Sequence, residues 1–314
     1  MAAMRSARSR RRSVYSLIPS IVSGPPFYPR RVTTSDLEPG ARVGPYRLER
    51  PLGEGAMGIV FEAVHETDGR VVALKVLRPE LSTDATYRQR FVHEARAAGE
   101  VRHKHLVPIE DAGEADGRSY LAVAFVRGRS LEVRLQADGA LPVPDLVRIV
   151  AHVGSALDAL HRAGIVHRDV KPSNVMLDGT GAAGLTDFGL AKGRAYTVLT
   201  RPGMVMGTLD YLAPELIRGA EATSATDLYA LGCLAYECVA GRAPFADRSM
   251  FELGRAHLND LPDDPTGART DAPAGMALAI LKALAKEPER RPPTGTAFAN
   301  LLSFGAGTAS LSSP

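Results

Sequence analysis

His167-Arg168-Asp169-Val170-Lys171-Pro172-Ser173-Asn174 is followed, thirteen residues after Asn174, by Asp187-Phe188-Gly189. Together these stretches supply two carboxylates, a lysine and a side-chain amide. One carboxylate can accept a hydroxyl proton, and the lysine can neutralise a transferring phosphoryl group. The Asn and the second Asp offer hard oxygen ligands of the kind Mg²⁺ takes. Either short motif alone arises by chance. Both together, in this order and at this interval, rarely do.

Upstream, residues 46–53, 58–64 and 71–77 read as three strands, with Asp68-Gly69 a turn between the second and third. Gly53, Gly55 and Gly58 therefore fall in a hairpin turn. The same glycine spacing marks dinucleotide-binding folds, but those need a helix directly after the glycines. Here Ile59-Val60-Phe61 continues as strand, and no G-x-x-x-x-G-K-[ST] loop occurs. Such a hairpin can lay backbone N–H groups over phosphates because no Cβ blocks the approach. Lys75 stands in an otherwise apolar strand, where a cation needs a partner. Residues 85–101 carry helical periodicity, with Glu94 near the middle; alone, Glu94 reads as a surface acid among arginines. Residues 106–111 and 119–126 read as further strands, and apolar spacing of three and four from Val143 onward predicts a long helix.

H-R-D-x-K-P-x-N with D-F-G, preceded by the glycine hairpin and Val72-Ala73-Leu74-Lys75, resembles the protein kinases. The resemblance covers roughly residues 46–304. It implies an α+β bilobal fold: a small antiparallel β lobe with one regulatory helix (46–123), a hinge (124–126) and a large, mainly helical lobe (127–304). It implies ATP between the lobes and Mg²⁺, with Mn²⁺ as an alternative. The hairpin Leu52, Gly53, Glu54, Gly55, Ala56, Met57, Gly58 and Ile59 would cover the phosphates. Val60 and Ala73 would roof the adenine, Met176 would floor it, Val123 would be the gatekeeper, and the backbone of Ala124 and Val126 would contact the base. Lys75, paired with Glu94, would hold the α- and β-phosphates. Asp169 would be the base, Lys171 would reach the γ-phosphate, and Asn174 and Asp187 would hold the metal.

Further along, residues 191–215 resemble an activation segment with Gly207-Thr208 and Ala213-Pro214-Glu215 as its substrate-side signatures. Arg168 is a cation that needs an anion, and phosphate on Thr200, or second on Thr197, would supply one. By resemblance Asp227 fixes the catalytic loop's backbone and Arg291 pairs with Glu215. Lys171 two residues after Asp169, with Thr208, matches serine/threonine rather than tyrosine kinases. The Ala-, Gly- and Arg-rich composition resembles the eukaryotic-like (Hanks-type) kinases of bacteria. The implied activity is transfer of the ATP γ-phosphate to Ser/Thr hydroxyls of protein substrates, with autophosphorylation of the activation loop and self-association to achieve it in trans. The rival reading, a pseudokinase scaffold, would be marked by loss of Lys75, Asp169 or Asp187, and all three are present. A small-molecule phosphotransferase is disfavoured by the activation segment.

Composition fits this reading. Hydrophobic residues make up 45% and charged residues 23%, ordinary for a globular chain. No run of eighteen apolar residues occurs, which excludes a membrane-spanning helix. The net charge is +3, but residues 1–45 hold eight Arg against Asp36 and Glu38, so the remainder carries 3 − 6 = −3. That basic leader reads as a solvated, disordered extension, with weak anionic-membrane contact as the alternative and no specific nucleic-acid partner. Its apolar stretch is interrupted by Ser16, Pro19 and Ser20, unlike a signal peptide. Residues 305–314 also read as disordered. Cys233 and Cys238 lie about 140° apart on a helix, so they form neither a metal pair nor a disulfide; low cysteine usage fits a cytoplasmic protein. His103 and His105, with no third ligand nearby, read as a surface turn rather than a metal site.

Overall fold

The computed structural model describes residues 37–55, 57–78, 85–187, 206–267, 269 and 271–307. Ala56, Phe188, Gly189, Thr197 and Thr200, the leader through residue 36 and the end from residue 308 lie outside the described residues, so the expectations placed on them are not addressed by it.

A six-stranded antiparallel sheet forms first, in the order β1-β2-β3-β4-β6-β5. Its strands are β1 (Arg42–Val43), β2 (Tyr46–Gly55), β3 (Gly58–His65), β4 (Val71–Leu77), β5 (Ile109–Ala115) and β6 (Arg118–Ala124). Helix α1 (Ala85–Gly99) presents Phe91, Ala95 and Ala98, a stripe at helical spacing, to one cluster of core residues. Tyr46, Leu48, Phe61, Leu74 and Tyr120 form a second cluster, against which Leu37 and Ala41 pack. The leader's last residues are thus part of the fold: Val43 is buried, Gly40 N–H donates to the Leu48 carbonyl, and Leu48 N–H to that of Ala41. Disorder through residue 45 is corrected accordingly; apolar Leu37, Ala41 and Val43 have a sheet face to cover. Strand β5 starts three residues later than read. Pro108 cannot donate to a ladder, and Leu106 instead bridges Leu185.

The helical part is built on α3 (Val143–Arg162) and α5 (Ser224–Ala240). Leu146, Ile149, Val150, Val153, Leu157 and Leu160 are fully buried along α3. Helix α5 is buried nearly all round, as its apolar sequence requires, and is bounded by a Thr223/Thr226 capping box and by Gly241 at φ 73°. The remaining elements are β7 (Gly128–Ser130), α2 (Leu131–Asp138), β8 (Val175–Asp178), β9 (Ala183–Leu185), α4 (Pro214–Ile217), α6 (Met250–Asn259), α7 (Ala274–Ala283) and α8 (Gly295–Gly305). β7, β8 and β9 pair as a small sheet, and residues 167–174 lead into its central strand, β8. Helix α8 extends to Gly305, into the segment read as disordered; a Cβ on Gly305 or Gly275 would run into the other's backbone, so these glycines permit the α7–α8 contact. No helix among the described residues is long and apolar enough to cross a membrane.

Candidate active site

The site is assembled around Asp227, near the start of α5 and only 1% exposed. Its Oδ2 accepts from His167 N–H and its Oδ1 from Arg168 N–H, both at 2.8 Å, and His161 Nε2 approaches Oδ2 at 2.8 Å. Arg168 has φ 64°, a left-handed conformation unfavourable for a side chain of this type. Two charge-assisted bonds to one buried carboxylate hold it there. The anticipated role of Asp227 as anchor of the 167–169 backbone is therefore seen directly. His161 was not anticipated: nothing in its sequence position signals that α3 turns it toward α5.

His167 is fully buried, and burial holds its imidazole below the ordinary value. Its Nε2 lies 3.1 Å from the Thr186 carbonyl, an acceptor only, so Nε2 carries the proton. Nδ1 is then the acceptor for Asp169 N–H at 3.3 Å. A neutral imidazole thus joins the loop before Asp169 to the residue before Asp187.

Asn174 is 5% exposed, and its Nδ2 donates to the Asp169 carbonyl (2.7 Å) and to Asp169 Oδ2 (2.9 Å). Those two acceptors fix the amide orientation and turn its oxygen away; that oxygen accepts no hydrogen bond among the described residues. Lys171 Nζ lies 3.1 Å from the same Asp169 Oδ2. Thr186 N–H donates to the Asn174 backbone carbonyl at 2.9 Å, tying the strand that delivers Asp187 to the loop that delivers Asn174. Asp187 has φ 58°, the second left-handed non-glycine residue of the site. Such conformations cost of order 1–3 kcal/mol each and persist where surroundings impose them.

From the other side, Ala73 and Lys75 are two apart on β4 and share a sheet face. Val60 pairs with Lys75 and Val123 with Ala73, so all four side chains lie on that face. Met176 lies on β8, on the opposite face from buried Val175 and Leu177. Ala124 spends its N–H on the Pro108 carbonyl, and Val126 packs half-buried against the core. The glycines divide their work. A Cβ on Gly58 would fall on the Val76 carbonyl oxygen, so Gly58 allows β3 to approach β4. One on Gly53 would meet nothing, and one on Gly55 only the Gly58 carbonyl at 4.0 Å. The hairpin over Leu52, Gly53 and Glu54 is open on one side.

Two expectations change. Lys75 Nζ bonds Asp187 Oδ2 at 2.9 Å, and Glu94 Oε2 instead faces Arg168 Nη1 at 3.8 Å. Lys75 therefore does not pair with Glu94 here. Asp187, delivered by β9 beneath the sheet, satisfies the lysine, and Arg168 competes for Glu94. The second correction concerns His105, which is buried rather than on a surface turn. Its ring stacks on His152 at 3.7 Å, and its Nδ1 meets the Ala183 carbonyl at 2.9 Å. The stack is apolar enough to bury, and β9 uses its polar atoms. Among the described residues no group of His, Cys, Asp or Glu is arranged to hold a metal by itself. Cys233 and Cys238 are buried free thiols whose pKa burial raises.

The anticipated Glu215–Arg291 pair is present and bidentate, with both N–O distances 2.7 Å. Arg291 also donates to the carbonyls of Ala225 and Ala285, and Thr226 to Glu215. Burial pushes the Glu215 carboxyl up, but Arg291 outweighs it and holds the group below its ordinary value.

The family model of the protein kinase domain matches residues 46–300. The chain belongs to the protein kinase family. It is 41% identical over 258 residues to the serine/threonine-protein kinase PknE of Mycobacterium tuberculosis, a match covering 82% of this chain and 45% of that protein. It is 39% identical over 256 residues to the serine/threonine-protein kinase PknH of Mycobacterium bovis, covering 82% and 43%. The chain thus spans less than half the length of these curated relatives. The crystal structure of the M. tuberculosis PknI kinase domain superimposes with a TM-score of 0.71 at 31% identity, covering 86% of this chain and 99% of that one. The α+β bilobal kinase fold is thereby shown.

Proposed function

We propose that this chain is an ATP-dependent serine/threonine protein kinase, acting on Ser/Thr hydroxyls of proteins. The observation that carries the reading is that Lys171 and Asn174 both engage the Asp169 carboxylate, while Lys75 reaches from the sheet to Asp187. A hydroxyl-bearing substrate would approach Asp169, which orients the oxygen for in-line attack on the γ-phosphorus and takes its proton as the bond to the β-phosphate oxygen breaks. Lys171 would neutralise charge on the transferring group, and Lys75 would hold the α- and β-phosphates. Val60, Ala73 and Val123 share the face that would meet adenine, opposite Met176, with Ala124 and Val126 supplying main chain.

The donor set fits a hard divalent cation: one carboxylate oxygen of Asp187 remains beside the one Lys75 holds, and the Asn174 amide oxygen is turned free. Mg²⁺ bound there, or Mn²⁺, would offset charge on the phosphates. The Lys75–Asp187 pair holds the carboxylate in place until the nucleotide takes over the lysine.

The proposed setting is cytoplasmic, with kinase function assigned to residues 46–304 and the basic leader available for anionic surfaces. Activation by phosphate on Thr200, or Thr197, gives Arg168 a stronger partner than Glu94 at 3.8 Å. Autophosphorylation in trans would require self-association. Intact-protein mass after incubation of phosphate-stripped protein with Mg²⁺-ATP tests the reading. Wild type should gain phosphate and Asp169→Asn should not. No gain in either, together with no transfer to generic Ser/Thr substrates, would leave a nucleotide-binding scaffold.

A further inference from the structure

The open hairpin of β2 and β3 raises the question of what holds it. A Cβ on Gly53 would meet nothing and one on Gly55 only the Gly58 carbonyl, and the last ladder pair is Gly55 with Gly58. One residue spans both limbs. Arg78, just past the end of β4, donates its backbone N–H to the Met57 carbonyl at 3.0 Å, which adds a rung beyond the Gly58–Leu77 pair on the β3 side. Its side chain crosses to the β2 side. Nε and Nη2 both lie 3.3 Å from the Gly55 carbonyl oxygen, and Nη2 lies 2.6 Å from Glu54 Oε1.

We propose that Arg78 is a positioning residue for the nucleotide phosphates, acting through the Gly55 carbonyl. This rests on the kinase reading of the hairpin. Holding the Gly55 carbonyl limits the backbone rotation that glycine otherwise leaves open at the last ladder pair, and with it the course of the β2 limb that would cover the phosphates. The planar guanidinium suits the task, because it serves the carbonyl and the Glu54 carboxylate at once, whereas an ammonium is a point donor. Arg78 and Glu54 side chains are 36% and 57% exposed. Exposed ion pairs contribute little to folding, so the interaction acts on the hairpin's orientation more than on global stability. The role differs from that of Lys75: Arg78 would not touch the nucleotide.

The test compares ATP with adenosine, which shares the base and ribose but carries no phosphate. Binding of each is measured to full-length wild type, Arg78→Ala and Arg78→Lys. Loss of a hydrogen bond of ordinary net strength corresponds to about 5- to 10-fold in affinity, so R78A should weaken ATP by that factor and leave adenosine within about 2-fold. R78K should fall between, and amide exchange of residues 52–58 should be faster in R78A at an unchanged thermal midpoint. ATP affinity unchanged in both variants, or equal loss of ATP and adenosine, overturns the role of Arg78 alone. A wild type that binds ATP no better than adenosine overturns the kinase reading and this role with it. Should R78A fail to fold, R78K decides: ATP-selective weakening supports the role and wild-type affinity overturns it.

Discussion

Lys75 on β4 and Asp187 after β9 are bonded across the cleft at 2.9 Å, and each is only partly exposed, at 20% and 29% of its side chain. An ion pair shielded to this degree acts as a unit: removing either partner leaves the other charge without its match. In the proposed reaction both charges serve the same nucleotide, one on phosphate and one on the metal. Lys75→Met and Asp187→Asn should each lower kcat on a peptide substrate by about 10³-fold or more, and the double variant should cost little beyond either single one, since groups acting together are non-additive. Full additivity in the kinetics would show that the two serve separate steps.

Glu94 offers a second, sharper prediction. Its contact with Arg168 at 3.8 Å is long for an ion pair, while its expected partner Lys75 is held elsewhere. If nucleotide and activation-loop phosphate draw off Asp187 and Arg168, Glu94 is released to Lys75. A double-mutant cycle between Lys75→Met and Glu94→Gln, read in ATP affinity, should give coupling of about 1 kcal/mol or more in phosphorylated protein and near zero in stripped protein. Equal coupling in both forms would remove the exchange.

Asp227 receives three donors while 1% exposed. Asp227→Asn keeps the shape but substitutes an NH₂ for one acceptor oxygen and removes the charge. The expected cost is about 2–4 kcal/mol in urea unfolding. Activity should fall further than stability predicts, because Arg168 at φ 64° loses what imposes its backbone.

How much of this was legible in the sequence depended on whether a residue's partner is local. Asp169, Lys171 and Asn174 sit within one loop, and their mutual bonds follow from spacing. Glu215 and Arg291 are 76 apart, yet both carry motif signatures, so their pairing was readable through resemblance. The partner of Lys75 was not, because the choice between Glu94 and Asp187 is set by how α1 and β9 sit against the sheet. Motif order does not encode that placement. His105 was misread for a related reason: exposure is decided by His152, 47 positions away on α3, and a lone histidine pair in sequence gives no sign of it. Arg78 carries no motif, and only the fold shows that its side chain reaches the glycine hairpin.

Glu215–Arg291 gives a stability prediction with a built-in control. Both side chains are almost wholly buried, so Arg291→Ala should cost about 3–5 kcal/mol by stranding the carboxylate. Glu215→Leu with Arg291→Met removes both charges and should recover a large part of that loss, although the Arg291 bonds to Ala225 and Ala285 carbonyls are then gone. A double variant as unstable as R291A would place the energy in those carbonyl bonds instead.

Buried histidines contribute to the acid limit, His257 and His152 among them. Burial depresses His257, 1% exposed and bonded to the Tyr229 hydroxyl, to about 3, and His152, stacked on His105, to about 4. Both are therefore neutral in the fold over a range where an unfolded imidazole, with its ordinary value near 6.5, is charged. A depressed histidine favours the unfolded chain as protons become available: its contribution is intact above about pH 6.5 and is lost progressively as pH falls toward the folded values. These two groups alone should add a slope approaching about 2.7 kcal/mol per pH unit between about pH 6 and pH 4.5, before the other histidines that burial holds down, His167, His103 and His105, and the carboxylates add their own contributions. His257→Phe removes one titrating group and keeps the volume among Tyr229 and Phe245. Its unfolding free energy should be lower than wild type at pH 7.5, where the Tyr229 bond is missed, but should decline by about 1.4 kcal/mol less per unit on acidification. Parallel pH profiles for H257F and wild type would mean that His257 is not the group whose protonation opens the fold.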